Sequence, residues 1–395
     1  MEPLSQPKKR NLFAMSPVII VLGLVSLFTD LSSNMIVPIL PLYLTSVLHV
    51  QVGSIGIIEG IAESTASILK LFSGWITDRV GKYKLLMLIG YGLSNLTKPF
   101  FALSASWNQV LMIRFSDRLG KGIRTSPRDA LIADSTTKEE RGKAFGFRRA
   151  MDTLGAALGP LVAFGVLAMF TNNYLLVFWL SVIPGLIAVA LIVFFLKEKT
   201  YNATEKQSKL PQIGFKNLNR RFMWFSLIST LFTVGNFSDA FLVLRAQDAG
   251  MYPALIPLAF FAFNISCSIL SMPIGILSDR IGRRPVLISG FFIFAAVYFG
   301  FGMAKSVAWI WVLFFLYGFY YAFTDGIQKA YIADIVPEGQ RGTAMGTYNA
   351  LTGLAALPAS IIAGFLWQSF GPMVAFSSSS IIAILAAILM IIFRI

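Results

Sequence analysis

The chain has 395 residues, of which 56% are hydrophobic and 13% charged, with a formal net charge of +14. Soluble domains carry about 25% charged residues, so this composition, with a mean hydropathy of +0.71, excludes an ordinary soluble globular protein. One cysteine, Cys267, and one histidine, His49, exclude an intramolecular disulfide and a Cys/His metal cluster. The chain lacks a nucleophile elbow, a phosphate-cradling glycine loop and an HExxH motif, so neither an enzyme nor a bound cofactor or metal is expected.

Twelve apolar runs follow one another at roughly 16–47, 54–77, 84–104, 108–134, 142–170, 174–196, 222–246, 253–278, 285–304, 308–334, 342–369 and 372–393. Each approaches the roughly 20 residues that span a bilayer, and unpaired backbone is not tolerated in lipid, so each is predicted to be a helix. The first run follows the basic head Lys8, Lys9 and Arg10 without a cleavage site and reads as a retained helix. Its Ser26, Asp30, Ser33 and Asn34 share a polar face, and Pro38 and Pro41 predict a bend. The second run carries Glu59, Glu63 and Lys70 on one face.

The fourth run is the most unusual. Arg114, Asp117, Arg118, Lys121, Arg124, Arg128 and Asp129 fall, at about 100° per residue, within an arc of about 140°. Each ion at mid-bilayer costs at least about 2.5–3.5 kcal/mol, so this stripe must face water, partner charges or a solute rather than lipid. Arg148, Arg149 and Asp152 occupy the first turns of the fifth run. Depth along the runs places Asp30, Glu63, Arg118 and Lys121 near mid-membrane.

The widest polar gap lies between Lys197 and Arg221. It predicts an organisation of residues 1–196 as one six-helix bundle, 197–221 as a linker, and 222–395 as a second bundle. In the second bundle Tyr317, Tyr320, Tyr321, Thr324, Gln328 and Tyr331 recur at helical spacing. Asn236, Asp239, Asn264, Tyr348, Asn349 and Thr352 can join them in a wall suited to an amphipathic or ring-bearing solute.

Basic residues concentrate in alternate loops: Arg79, Lys82 and Lys84; Lys138, Arg141 and Lys143; the 197–221 gap; Arg280, Arg283 and Arg284; and Arg341. This positive-inside pattern places both termini in the cytoplasm and argues against nucleic acid as the partner of the net charge.

Two segments nearly repeat. Gly74-Trp75-Ile76-Thr77-Asp78-Arg79-Val80-Gly81-Lys82 is echoed by Gly275-Ile276-Leu277-Ser278-Asp279-Arg280-Ile281-Gly282-Arg283, 201 residues on. Arg141-Gly142-Lys143-Ala144-Phe145-Gly146 matches Arg341-Gly342-Thr343-Ala344-Met345-Gly346 at an offset of 200. A duplicated apolar chain with charged hairpins at matched positions is the plan of an alternating-access carrier. The same offset sets Arg118 against Gly318, Lys121 against Tyr321 and Arg124 against Thr324. The ionic face thus belongs to one copy, as expected of a coupling or substrate site.

The GxxxDRxGK and GxxxDRxGRR loops, the twelve runs and the central gap together resemble the major facilitator superfamily over essentially the whole chain. The resemblance implies an all-α membrane protein of twelve transmembrane helices in two pseudo-symmetric bundles. It also implies that the two loops act as cytoplasmic latches, with Asp78, Arg79, Asp279 and Arg280 as gating residues. Arg128, Asp129, Arg148 and Asp152, nearer the cytoplasm, are expected to join that gate. Arg114-Phe115-Ser116-Asp117-Arg118-Leu119-Gly120 is similar to the family's fourth-helix motif, whose Arg is linked to proton transfer, although Arg118 replaces a glycine. Gly146, Gly155, Gly159 and Pro160 match the fifth-helix spacing of antiporters, with Ala163-Phe164 in place of its closing glycines.

The expected function is therefore proton-coupled export, by antiport, of a small amphipathic organic compound across the cytoplasmic (inner) membrane. Asp30, Glu59, Glu63 and Arg114 are the candidates for proton coupling. Asn34, Arg118, Lys121, Arg124, Asn236, Asp239, Tyr321 and Gln328 are the candidates for substrate binding. Uptake or exchange of an organic anion is the main alternative, since basic residues outnumber acidic ones in the first bundle. A lipid-transporting or non-transporting protein on the same scaffold is a further one. The fold needs no partner chain, so a monomer is expected.

Overall fold

A computed structural model describes residues 15–137, 140–171, 173–197, 218–337 and 340–394, without the side chain of Asp78. The basic head at 8–10, Lys138 and most of the expected linker (198–217) lie outside the described residues, as does the side chain of the expected latch residue Asp78.

All twelve apolar runs are helical. The first is broken into α1 (Pro17–Ile36) and α2 (Leu40–Ser46), because Pro38 and Pro41 cannot donate to the preceding turn. Then come α3 (Val52–Val80), α4 (Tyr83–Leu103), α5 (Trp107–Asp134), α6 (Arg141–Met169) and α7 (Tyr174–Phe195). The seventh run also breaks, into α8 (Arg220–Gly235) and α9 (Ala240–Asp248), with no proline between them. Next are α10 (Ile256–Ile281), α11 (Arg283–Met303), α12 (Val307–Ile335), α13 (Arg341–Phe370) and α14 (Pro372–Ile392). Among the described residues, ten stretches are long and apolar enough to cross a membrane. α4 and α5 are not among them. α5 carries the ionic stripe, and α4 holds Lys84, Asn95, Thr97 and Lys98.

The repeat seen in the sequence returns as a repeat in packing. In the first half α1 packs on α6 and α7, α5 on α3 and α4, and α4 on α7. In the second half α8 packs on α13 and α14, α12 on α10 and α11, and α11 on α14. The halves meet through α3 against α13, α6 against α10, and α2 against α9.

Their interiors differ. The second half is filled with rings: Phe232 stacks on Phe291 at 4.0 Å, and Phe294 on Tyr298 at 3.9 Å. The first half buries Glu59, Lys98, Arg114, Asp117, Arg118 and Arg124 instead. Large apolar side chains such as Leu96, Phe194, Trp309 and Phe365 are exposed on the outside, as a lipid-facing belt requires.

Glycine matters most where α3 crosses α13. A Cβ on Gly56 would stand 2.3 Å from the Ser360 carbonyl oxygen, and one on Gly60 would stand 2.8 Å from that of Leu357. Both obstacles are backbone, which cannot rotate aside. At the same end Gln368 accepts from the Gly53 amide at 3.1 Å and donates to Gln51 at 2.9 Å. Gln247 of α9 bonds Thr45 and Ser46 of α2 there. The two halves are therefore closed on each other at the end opposite the Asp-Arg loops. Gly56→Leu is expected to force α3 from α13, at an overpacking cost of about 1–3 kcal/mol. Spin labels at positions 51 and 368, in a Cys267→Ser background, should read a longer distance. Gly92→Leu, which meets nothing within 4 Å, should leave that distance unchanged.

Candidate functional site

Between the halves lies a cavity of about 390 Å³. One wall is the ionic face of α5, with Arg114, Asp117, Arg118, Lys121 and Arg124 turned into the cavity beside Asp30 and Asn34 of α1 and Glu59 and Glu63 of α3. The opposite wall comes from the second half and includes Asn236, Phe237, Ser238, Asp239, Tyr321 and Thr352. Five of the seven residues of the stripe expected from helical periodicity thus line the cavity, and Arg128 and Asp129 do not.

The stripe is stitched to its neighbours. Arg114 forks onto Glu59 with bonds of 3.0 and 3.1 Å, and both side chains are almost fully buried. A planar guanidinium matches a carboxylate in this two-point arrangement, which fixes α5 against α3. Glu59 also accepts from the Ser238 hydroxyl at 3.3 Å, so the pair reaches across to the second half. One turn further along, Arg118 pairs with Glu63 at 3.3 Å and lies 4.0 Å from Asp117, which also accepts from Ser94 of α4.

Asp30 is different. It is half-buried and lines the cavity, and no hydrogen-bond or ion-pair partner among the described residues reaches its carboxylate. It sits where α6 presses on α1: a Cβ on Gly155 would meet the Leu27 carbonyl oxygen at 2.3 Å, and one on Gly159 would meet the Leu31 oxygen at 2.7 Å. Two glycines of the fifth-helix spacing therefore seat the helix that carries Asp30 and Asn34.

On the second-half wall, the Tyr317 hydroxyl donates to Asp239 at 2.7 Å, and Asn236 donates to Tyr320 at 2.8 Å. Gln328 does not line the cavity; its oxygen accepts from Tyr348 at 2.8 Å. Helical periodicity places Gln328 on the tyrosine face, but it lies nearly two turns past Tyr321 and is taken up by α13.

The expected gating residues lie toward the Asp-Arg end. Arg128 pairs with Asp129 at 3.0 Å, and Arg148 with Asp152 at 2.5 Å. Arg79 lies over the Trp75 ring at 5.4 Å, and Arg280 is exposed. Asp279 pairs with Arg283 at 2.5 Å, and Arg283 continues to Asp334 of α12 at 3.3 Å. In this loop it is the first basic residue after the Asp-Arg pair, Arg283, and not Arg280 itself, that ties the hairpin to the end of α12.

Two groups here escape sequence reading. Lys98 of α4 lines the cavity at 2% exposure and donates to Ser32, whose hydroxyl donates to the Ser181 carbonyl of α7. Asp325 of α12 bonds Arg149 of α6 at 2.9 Å, joining the halves near the Asp-Arg end, and Lys329 at 2.9 Å. An isolated lysine six residues before the end of an apolar run reads as an interface anchor. No period or motif singles out Asp325.

Comparison with known proteins agrees with the packing. A family model described as Major Facilitator Superfamily matches residues 22–245 and 223–395. An uncharacterized MFS-type transporter of Methanocaldococcus jannaschii is 37% identical over 392 residues, 98% of this chain and 97% of its own. A Cupriavidus pinatubonensis protein named "Probable 4-methylmuconolactone transporter" is 27% identical over 245 residues, 58% of this chain and 56% of its own. A solved POT family transporter, in complex with 5-aminolevulinic acid, superposes with a TM-score of 0.81 over 98% of both chains at 12% identity, a likeness of fold alone.

Breaking a buried pair strands one charge, at a cost of about 3–5 kcal/mol. Arg114→Met and Glu59→Gln should each lower the unfolding free energy by about that amount, and the double variant by clearly less than their sum, in a thermal double-mutant cycle. Asp325→Asn, which breaks an exposed pair, should change it by less than about 1 kcal/mol in the same assay.

Proposed function

Because the chain belongs to the Major Facilitator Superfamily, we propose that it is a proton-coupled secondary transporter that carries a small amphipathic organic compound by alternating access. The observation that carries this reading is the cavity between the halves, ionic on one wall and aromatic and amide-bearing on the other. A solute with a polar head and an apolar or ring-bearing body fits between such walls. The relative named for 4-methylmuconolactone is in keeping with a small organic cargo.

In this reading Asp30 carries the coupling proton. Glu59 and Glu63 are held by arginines, whereas the Asp30 carboxylate has no bonded partner and faces the cavity. The Glu59–Arg114 fork, touching Ser238, is then the element through which the coupling wall senses the other half. Asn34, Arg118, Lys121, Arg124, Asn236, Asp239 and Tyr321 surround the solute, and Gln328 supports that wall from behind through Tyr348.

We assign residues 1–196 and 222–395 to two six-helix bundles, with twelve spans once α1–α2 and α8–α9 are each taken as one. The basic Asp-Arg loops face the cytoplasm of the inner membrane, as do both termini. Asp78, Arg79, Asp279, Arg280, Arg128, Asp129, Arg148 and Asp152 line the gate at that end, and Arg149–Asp325 closes across it. A monomer suffices for this cycle. The direction of transport follows from the sign of the linkage between proton and solute. The packing of Gly155 and Gly159 on α1 has no sign of its own.

The test is transport in proteoliposomes under an imposed pH gradient, with proton flux measured as candidate solutes are added. Wild-type protein is expected to show solute-dependent proton movement. Asp30→Asn should abolish it while keeping solute-for-solute exchange, and equal proton movement in that variant rejects Asp30 as the carrier.

A further inference from the structure

The cations of the cavity wall divide into two sets. Arg114 and Arg118 are engaged by Glu59, Glu63 and Asp117. Lys98, Lys121 and Arg124 have no carboxylate in contact. Lys98 has three N–H donors and gives one to Ser32, whose own proton is committed to Ser181. Arg124, at 5% exposure, lies over the Tyr91 ring at 4.5 Å, and none of its five donors meets an acceptor among the described residues. Lys121 is exposed within the cavity and likewise makes no hydrogen bond or ion pair among them. Five carboxylates line the same cavity as these five cations, but only Asp30 of these has no bonded partner among the described residues: Asp239 accepts from the neutral Tyr317 hydroxyl and keeps its charge.

Cations with free donors around a shared space, two of them buried, form a receptor for an anion. The geometry points to an organic acid as the cargo, its carboxylate docking among Lys98, Lys121 and Arg124 and its apolar body lying toward Phe237 and Tyr321. This rests on the reading of Asp30 as proton carrier and gives the coupling its sign. Asp30 faces Lys121, Arg124 and Arg128 from α5, Asp152 from α6 and Lys98 from α4, while α7 carries no charged residue. When Asp30 takes a proton, its charge no longer offsets the three cations, so the site holds an anion more tightly. Proton and anion then bind together and cross together, as in co-transport. A carrier that exchanged one for the other would show the opposite linkage.

The full-length purified protein is tested for thermal stabilisation by benzoate and 2-naphthoate against their uncharged amides, benzamide and 2-naphthamide, at pH 6 and pH 8. The acids are expected to stabilise and the amides not, with acid affinity several-fold tighter at pH 6. Lys98→Met, Arg124→Met and Lys121→Met should each weaken acid binding at least tenfold, and Lys98→Arg should retain it. Asp30→Asn should bind the acids with a smaller difference between the two pH values than wild type shows. Lys121 is exposed and unbonded, so Lys121→Met remains a valid test if the two buried variants fold poorly. Amides that match the acids, acids that do not bind, or Lys121→Met and Arg124→Met binding as wild type would each overturn the proposal. So would displacement of the acids by phosphatidylglycerol at equal concentration, which assigns the site to a lipid head group. Acids that bind but move no protons reject the coupling and leave the docking site intact. Proton-driven transport of the amides alone rejects the docking site and keeps the coupling.

Discussion

An ionised side chain inside a membrane must have a partner or water, and the first half of this molecule is arranged around that requirement. α5 carries more charge than its helical neighbours can ignore. α3 answers with Glu59 and Glu63, α4 with the Ser94 hydroxyl, and what remains faces the cavity. Two arginine–glutamate contacts one turn apart tie α5 to α3, and Gly90 and Gly120 let it lie close against α4. Of the cavity-lining charges in this half, Asp30, Lys98, Lys121 and Arg124 are left without an ion-pair partner among the described residues.

The second half solves the same packing problem with rings. At the offset of 200, Lys98 corresponds to Tyr298, Arg114 to Phe314, Asp117 to Tyr317 and Lys121 to Tyr321. At these four positions charge in one half is replaced by an aromatic ring in the other, whereas Arg118 and Arg124 face Gly318 and Thr324, and the pattern of helix pairing is the same. One half thus buries ionisable side chains where the other buries rings. Asp239, on the cavity wall of the second half, is the exception, and it is tied down by a tyrosine of its own half.

Much of this was legible in the sequence because it is written in local period and repetition. Run lengths gave the helices, Pro38 and Pro41 gave the break before α2, and the narrow arc of α5 gave a wall. The break between α8 and α9 was not legible, since Asn236-Phe237-Ser238-Asp239 holds no proline and interrupts an apolar run only mildly. Which ions pair could not be read either. Glu59 choosing Arg114 and Glu63 choosing Arg118 depends on how α3 is rotated against α5, which only the tertiary arrangement fixes. Lys98 is the sharpest case: a single lysine in an apolar run carries no period. Its burial follows from Ser32 and Ser181 on two other helices. Gln328 shows the converse, because a shared helical face continues past the end of the cavity that gives it meaning.

The contact of α3 with α13 has a mechanical consequence. Where Gly56 and Gly60 lie against main-chain oxygens, no side chain on the α3 side interlocks with its counterpart. Surfaces that mesh knob into hole must unmesh before they can part, and each step needs rotamer changes. Here the helices meet main chain to main chain, and the keys lie on either side: Gln51 and Gln368 at one end, and Ser64 and Ser67 against Gly353 at the other. The crossing is close because glycine is bare, and its grip is left to hydrogen bonds on either side of it.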